Sequence, residues 1–549
     1  MKCIRYIFNI VPLTLLLLTA ACNKSSLEVT NLNQPPVNIL NTEAGVIAYA
    51  KGFYKLAFGD QTFSPLDDAI GMGMFKIVLG YHEGMGDMVW CPYGNSSLMY
   101  VNGPLSIQLD NGSVVTSPIG KGQIPELRLR NSAAYNGKNA LLNEWTYMYF
   151  LNNATNVLLS SIDQITLSGD AATKKNVLKA WAYWWKGYAY SRIGSMYIAG
   201  AITDSANGSN GNFVTNQALV TEAVNKLEAA KTILSSITTT SAYNEVMNTV
   251  IPGAMLFAGK SYPSPQEWIN NINTFEARTL LVNKKVTDMA TVDWNQVFTL
   301  VNAGIKATDY SFCIRTVSDN TTSVFANNNG WLGAFAAGTQ PTEYISERFI
   351  QDFKTGDKRL GNNFGKLSSA VINVRGRGIN FGTRWYLLDK GTGNGSYTYF
   401  NSTVGATPTY IAGSYEENEL MKAECLMHTS TPDAGLTILD AVRNYQGAGL
   451  AATSGAGLTL TDALEELRKE RRCALFLRGL GFYDLRRNGM NLDISRGGGR
   501  KDCVVLDGTG GLNTKCIINY AYNSYWDVPQ NELDVNPATA SSAPLISQY

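Results

Sequence analysis

Histidine is almost missing from this chain. Its 549 residues include only His82 and His428, too little for imidazole-based catalysis or a His-rich metal site. Net charge is missing as well: 45 Lys and Arg against 44 Asp and Glu leave a formal +1. A balanced chain has no bulk attraction to nucleic acid or to an anionic lipid surface. The eight cysteines do not fall at zinc-site spacings. There is no P-loop, no G-x-S-x-G, no H-E-x-x-H and no paired C-x-x-C. The run Val374–Ile379, VRGRGI, lacks the strand-turn-helix setting of a dinucleotide loop and reads as an ordinary loop. No cofactor and no metal are expected. Beyond the first twenty residues no apolar run is long enough to span a bilayer.

What is present suits a globular binding protein. Apolar residues make up 45% and charged residues 16%, enough for a large core. Fifty-one glycines and 11% aromatics imply many loops carrying Tyr and Trp. At the N-terminus, Lys2 and Arg5 precede a mostly apolar run, Ile7–Leu18, which has the form of a secretory signal. It ends Leu18-Thr19-Ala20-Ala21-Cys22, similar to a bacterial lipobox cut before Cys22, whose thiol and amine would then carry acyl chains such as palmitate. Several chains on one residue anchor firmly, at about 0.8 kcal/mol per buried methylene. Residues 1–21 are thus expected to be a signal peptide and 22–42 a tether. Residues 43–549 would form one helical domain with a loop-rich insertion near 309–413.

Helical periodicity covers most of that domain. It predicts helices over Glu43–Phe58, Leu66–Tyr81, Asn216–Ile237, Phe275–Val286 and Trp294–Thr308, and a block over Ala133–Ala199 broken at Leu167–Asp170. In that block Ala180, Ala182, Gly187 and Ala189 alternate with Trp181, Trp184 and Tyr188, a pattern for close helix packing. Helix pairs joined by short turns suggest a mainly α, tetratricopeptide-like helical-repeat scaffold. Residues 309–413 break the rhythm with Gly, Asn and Thr, and read as loops and short strands laid on the scaffold. Cys425 and Cys473 read as buried thiols. Cys503 and Cys516 flank a Gly-rich loop and could pair in an oxidising compartment.

The stretch Thr461–Gly489 is a helix running into a glycine turn, with Thr461 read as its cap. Arg471 and Arg478 fall on its apolar stripe. A core-facing arginine requires a carboxylate, so partners are expected from Glu470, Asp484 or a neighbouring helix. Glu470-Arg471-Arg472, Leu475, Gly479, Asp484-Leu485-Arg486-Arg487 and Gly489 also resemble the C-terminal signature of the SusD/RagB family. Ala423-Glu424 and the ending Pro529-Gln530-Asn531-Glu532-Leu533-Asp534-Val535-Asn536-Pro537 resemble its other motifs. The chain departs at Ala474 and Arg478, where Glu is usual, at Asp440 and Tyr445, and at Gly481, where a second Arg is usual.

The resemblance implies a surface lipoprotein of the outer membrane, facing outward. It would capture oligo- or polysaccharide without chemistry and deliver it to a SusC-like TonB-dependent transporter. Sugar rings stack their C–H faces on Trp and Tyr, and their edges need amide and carboxylate partners. Loops on a rigid scaffold offer such groups best. The candidates are Asp87, Trp90, Tyr93, Asn95 and Tyr100 after the early helices, and Trp331, Trp385 and Tyr386 in the decorating region. Two alternatives stay open: peptide capture, as in the RagB branch, and a surface glycoside hydrolase, which needs only two carboxylates at a set distance.

Overall fold

Side-chain caps mark where the helices begin. In the computed structural model, which describes residues 40–58, 74–90, 98–116, 122–253, 257, 259–315, 344–372, 382–401, 403 and 406–548, Asn139 accepts from the Leu141 amide, Asp170 from Thr173 and Thr215 from Ala218. Ser264 and Glu267 close a capping box around Pro265. Each arrangement satisfies amides that the first helical turn leaves without partners.

The helices and strands follow in order as α1 (Glu43–Phe58), α2 (Met74–Met85), β1 (Val89–Trp90), β2 (Ser106–Gln108), β3 (Val114–Thr116), α3 (Gln123–Arg130), α4 (Ala140–Ser161), α5 (Ala171–Met196), α6 (Asn216–Ser235), α7 (Thr240–Val250), α8 (Pro265–Val282) and α9 (Thr291–Asn302). Then come β4 (Tyr344–Ile345), β5 (Phe364–Val371), β6 (Thr383–Leu387), α10 (Tyr415–Thr429), α11 (Pro432–Tyr445), α12 (Leu460–Ala474), α13 (Gly481–Arg487), β7 (Arg500–Leu506) and β8 (Leu512–Asn519), with shorter pieces between. Helices α4, α5, α6, α8, α9, α10 and α11 pack in series, each against the next, and α12 lies across α10 and α11. This is a mainly α, tetratricopeptide-like helical-repeat scaffold. A core of buried side chains runs through it from Val46 to Val528. No helix among the described residues is long and apolar enough to cross a membrane.

The tightest seam is α5 against α6. A Cβ on Gly187 would stand 2.7 Å from Leu227 Cγ, so the small positions of α5 receive the large residues of α6. Beside them Trp181, Trp184, Trp185 and Trp268 are sealed from solvent. The aromatic stripe of α5 is core.

Several helix boundaries differ from the sequence reading: α2 runs on to Met85 past Tyr81, α6 ends at Ser235, α8 ends at Val282 and α9 begins at Thr291. Helix α8 begins at Pro265, ten residues before Phe275. Its first half is rich in Asn and Thr, yet buried, because those side chains serve the loop that follows α9. Asn270 Nδ2 donates to Asp309 (2.8 Å), Asn271 to the Tyr310 carbonyl (2.6 Å) and Asn273 to the Ala303 carbonyl (2.8 Å). Helix α9 ends at Asn302 rather than Thr308. Helix α12 is capped by Thr459, which accepts from the Asp462 amide, and not by Thr461.

The core-facing arginines Arg471 and Arg478 do find carboxylates, whereas Arg486 of α13 donates to the Ser195, Ser524 and Val282 carbonyls. Arg471 pairs with Asp484 at 2.9 Å and Arg478 with Glu416 of α10 at 2.9 Å. Arg487 pairs with Glu424 at 2.5 Å, while Glu470 receives both Arg359 and Arg443. Gly481 has a steric cause: its backbone lies against Gly86, where an added Cβ would meet Gly481 carbons at 2.5 and 2.6 Å. A side chain at 481 would meet Met88 Sδ at 2.9 Å. Cys503 and Cys516 stand directly opposite each other on β7 and β8, both buried and both free thiols.

Candidate ligand-binding face

The decorating region contributes a four-stranded sheet in the order β1-β4-β6-β5, joined antiparallel. Its register is Trp90↔Tyr344 and Val89↔Ile345, then Ile345↔Trp385, then Lys366↔Trp385 and Gly365↔Tyr386. Opposed residues share a face. One step along from the Ile345–Trp385 pair, Tyr344 comes opposite Tyr386. One face therefore carries the row Trp90, Tyr344, Tyr386, Gly365. The other carries Val89, Ile345, Trp385, Lys366. Residues from three distant parts of the chain meet here, among them three of the sequence candidates.

The row is graded in exposure. Trp90 and Tyr344 are each 5% exposed, with ring centroids 5.9 Å apart, while Trp385 and Tyr386 are half-buried. The absence of a side chain at 365 lets the Tyr386 ring fold over it; a Cβ there would lie 2.5 Å from Tyr386 Cζ. On the opposite face the Lys366 ammonium sits 5.2 Å from the Trp385 ring centroid. Glu347 fixes the neighbours of both rings. It accepts from Arg384 Nε and Nη2 at 2.9 and 2.8 Å and from Trp385 Nε1 at 3.2 Å. Those bonds raise the affinity of Arg384 for its proton still further.

Beneath β1 lies a charge cluster that holds the strand in place. Asp87 sits in the left-handed region (φ 54°). Its carboxylate accepts from Arg348 Nη2 at 2.8 Å, Ser346 Oγ at 3.0 Å and Tyr520 Oη at 2.7 Å. Burial alone would raise this carboxyl, but Arg348, Arg472 and Arg500 outweigh it and hold the group below its usual range. From α12, Arg472 donates to the Gly86 and Asp87 carbonyls at 2.5 and 3.0 Å. The long helix thus grips the turn that launches β1.

Two sequence candidates require correction. Asp87 is not a ligand-facing acid: it is buried and its acceptor capacity is spent on Arg348, Ser346 and Tyr520. Trp90 does not project from a loop: it is strand, sealed in the core beside Tyr344. Tyr100 stands apart in a short helical turn, with the Arg130 guanidinium 3.3 Å over its ring. Trp385 and Tyr386 do reach the surface, on opposite faces of β6. Tyr93, Asn95, Trp331 and Cys22, together with the signal segment, lie outside the described residues. Tyr344, Glu347, Lys366 and Arg384 were missed. The alternation in Thr383–Leu387, TRWYL, was the available signal, but which strand it pairs with is not written locally.

Residues 308–542 match the SusD family. Over that stretch the chain is similar to the SusD family. No curated protein matches it. Solved structures similar to this chain include a SusD-like carbohydrate-binding protein from Bacteroides vulgatus ATCC 8482, at 14% identity over 93% of this chain and 99% of that one, with a TM-score of 0.55. A SusD-like carbohydrate-binding protein from Bacteroides fragilis NCTC 9343 gives 14% identity, 91% and 99% coverage and a TM-score of 0.59. A structure with a bound xylogluco-oligosaccharide gives 13%, 92%, 99% and 0.56. At these identities the likeness is one of fold.

Proposed function

We propose that this protein is a SusD-family glycan-binding protein of the cell surface that captures oligo- or polysaccharide and does no chemistry on it. The supporting observation is the β6 pair: Trp385 and Tyr386 are half-exposed rings on a sheet that the helical scaffold holds rigid. Around them Arg384 and Lys366 offer the polar edges that sugar hydroxyls need. Ring and polar group are preorganised, so binding costs little ordering. The carbohydrate-binding relatives and the oligosaccharide-bound structure support the same ligand class. Glu347 supports binding over hydrolysis, because both of its oxygens are tied to Arg384 and Trp385 instead of standing free as acid or nucleophile.

The wider reading follows the family. Cys22 would carry the lipid, the chain would sit on the outer face of the outer membrane, and a SusC-like TonB-dependent transporter would receive the glycan. Residues 43–549 would act as one binding unit. A polysaccharide panel on protein lacking residues 1–22 tests this: retention without release of reducing ends is expected, and turnover would replace the binder with an enzyme. Co-purification of a barrel transporter with the native lipoprotein tests the partner.

A further inference from the structure

A cavity of about 390 Å³ opens where Gln351 and Asp352, the α12 residues Glu465, Arg468 and Lys469, and the segment Gly499–Asp502 come together. It lies at the foot of the charge cluster under β1. Its chemistry is set by a shortage of carboxylate. Asp352 alone serves three guanidinium groups, from Arg472 (2.6 Å), Arg500 (2.8 Å) and Arg468 (3.0 Å). Asp87, the other buried acid of the cluster, is taken by Arg348.

Two of these arginines line the cavity with donors to spare. Arg500 is 7% exposed and spends only Nη2, on Asp352 and on the Arg348 carbonyl. Its Nε and Nη1 have no acceptor among the described residues. Arg468 spends Nε on Glu465 and Nη2 on Glu465 and Asp352, leaving Nη1 without one. At the rim, Lys501 is exposed and forms no ion pair among the described residues, and Lys469 reaches Glu465 at 3.5 Å. The acids facing the space are Asp352, already shared three ways, Glu465, which is half-exposed and bound to Arg468, and Asp502 on the rim. Burial would raise the Asp352 carboxyl, but Arg500, Arg472 and Arg468 outweigh it and hold the group well below the usual carboxylate range, so it stays charged and the remaining guanidinium charge stays in excess.

We propose that this cavity is an oxyanion-binding site, separate from the aromatic face. Two forked guanidinium edges converging on one space match the geometry of a carboxylate, sulfate or phosphate group, which accepts several N–H bonds at once. The anion would supply the negative charge that the cluster lacks. It comes either as a substituent of an acidic sugar, a uronate or a sulfate ester, or as the free inorganic ion.

Isothermal titration of the mature chain with inorganic sulfate, with a galacturonate trimer and with a neutral trimer tests the assignment. Saturable binding of sulfate, of the uronate trimer, or of both is expected, and the pattern tells the two sources apart. Lys501→Glu changes only an exposed rim residue, and should weaken that binding by about tenfold or more while leaving a neutral glycan's affinity at the β6 face unchanged. Trp385→Ala should leave the anion isotherm intact, so failure of one site is visible without failure of the other. Absence of saturable binding for both anionic probes, or an isotherm that Lys501→Glu does not alter, overturns the proposal.

Discussion

Single residues set two opposite limits on stability. Glu83 is sealed in the core, with the Gly479 amide donating to Oε1 at 2.7 Å and no partner on Oε2 among the described residues. Burial pushes its carboxyl up to about 7, against the backbone amides and Arg472, which pull it down. A raised folded value means the stabilisation is complete below the unfolded value near 4.5 and is lost as pH rises through about 7. Asp352 and Asp87 work the other way. Their folded values are depressed, so their contribution is present above the ordinary aspartate range and is lost as pH falls through the folded value. The midpoint of thermal unfolding should therefore peak in mild acid, roughly pH 4 to 5. Glu83→Gln should flatten the alkaline limb, gaining on the order of 2–3 kcal/mol at pH 8 and little at pH 4. An unchanged alkaline limb would show that Glu83 ionises without cost. Trp90 is the other test at this scale. As core rather than loop, Trp90→Ala should cost about 3–5 kcal/mol in a denaturant titration, where a solvent-exposed stacking ring would cost almost nothing.

At the scale of elements, the crossing of the α2 end with α13 depends on two glycines in backbone contact. Gly86→Ala puts a methyl 2.5 Å from the Gly481 carbonyl carbon, and neither backbone can yield as a side chain can. A loss of about 1–3 kcal/mol in urea unfolding is expected; wild-type stability would mean the two turns separate freely. This contact also shows what was legible in the sequence. Glu43–Phe58 was read to the residue because its apolar spacing is purely local. The pairing of Arg471 and Arg478 with acids was legible because a core-facing charge demands one. The start of α8 was not, because its Asn and Thr residues look like a loop until the carbonyls of residues 303 and 310 arrive to use their amides. The sheet β1-β4-β6-β5 was not legible either. Val89 and Trp385 lie almost 300 positions apart, and no local pattern states their register. Of the candidate site, Trp385 and Tyr386 are proposed from loop composition, and strand pairing is what sets Tyr344 and Glu347 beside them.

On the scale of the whole molecule, the helical repeat carries a small sheet on its surface. Its role is to hold that sheet still. Arg472 of α12 grips the turn before β1, Asp352 gathers three arginines beneath it, and Glu347 ties β6 to the segment after β4. The rings on β6 are thereby fixed relative to a helical frame that buries the aromatic stripe of α5. The central claim is that glycan stacks on these fixed rings, Trp385 on one face of β6 and Tyr386 on the other. The direct measurement is calorimetric titration of the mature protein and of the Trp385→Ala/Tyr386→Ala variant with whichever polysaccharide the panel selects, after circular dichroism shows both folded. Loss of affinity by at least about tenfold is predicted, since each stacked ring contributes about 0.5–1.5 kcal/mol beyond its buried area. Identical isotherms for a folded double variant would contradict the account and place the ligand on another surface.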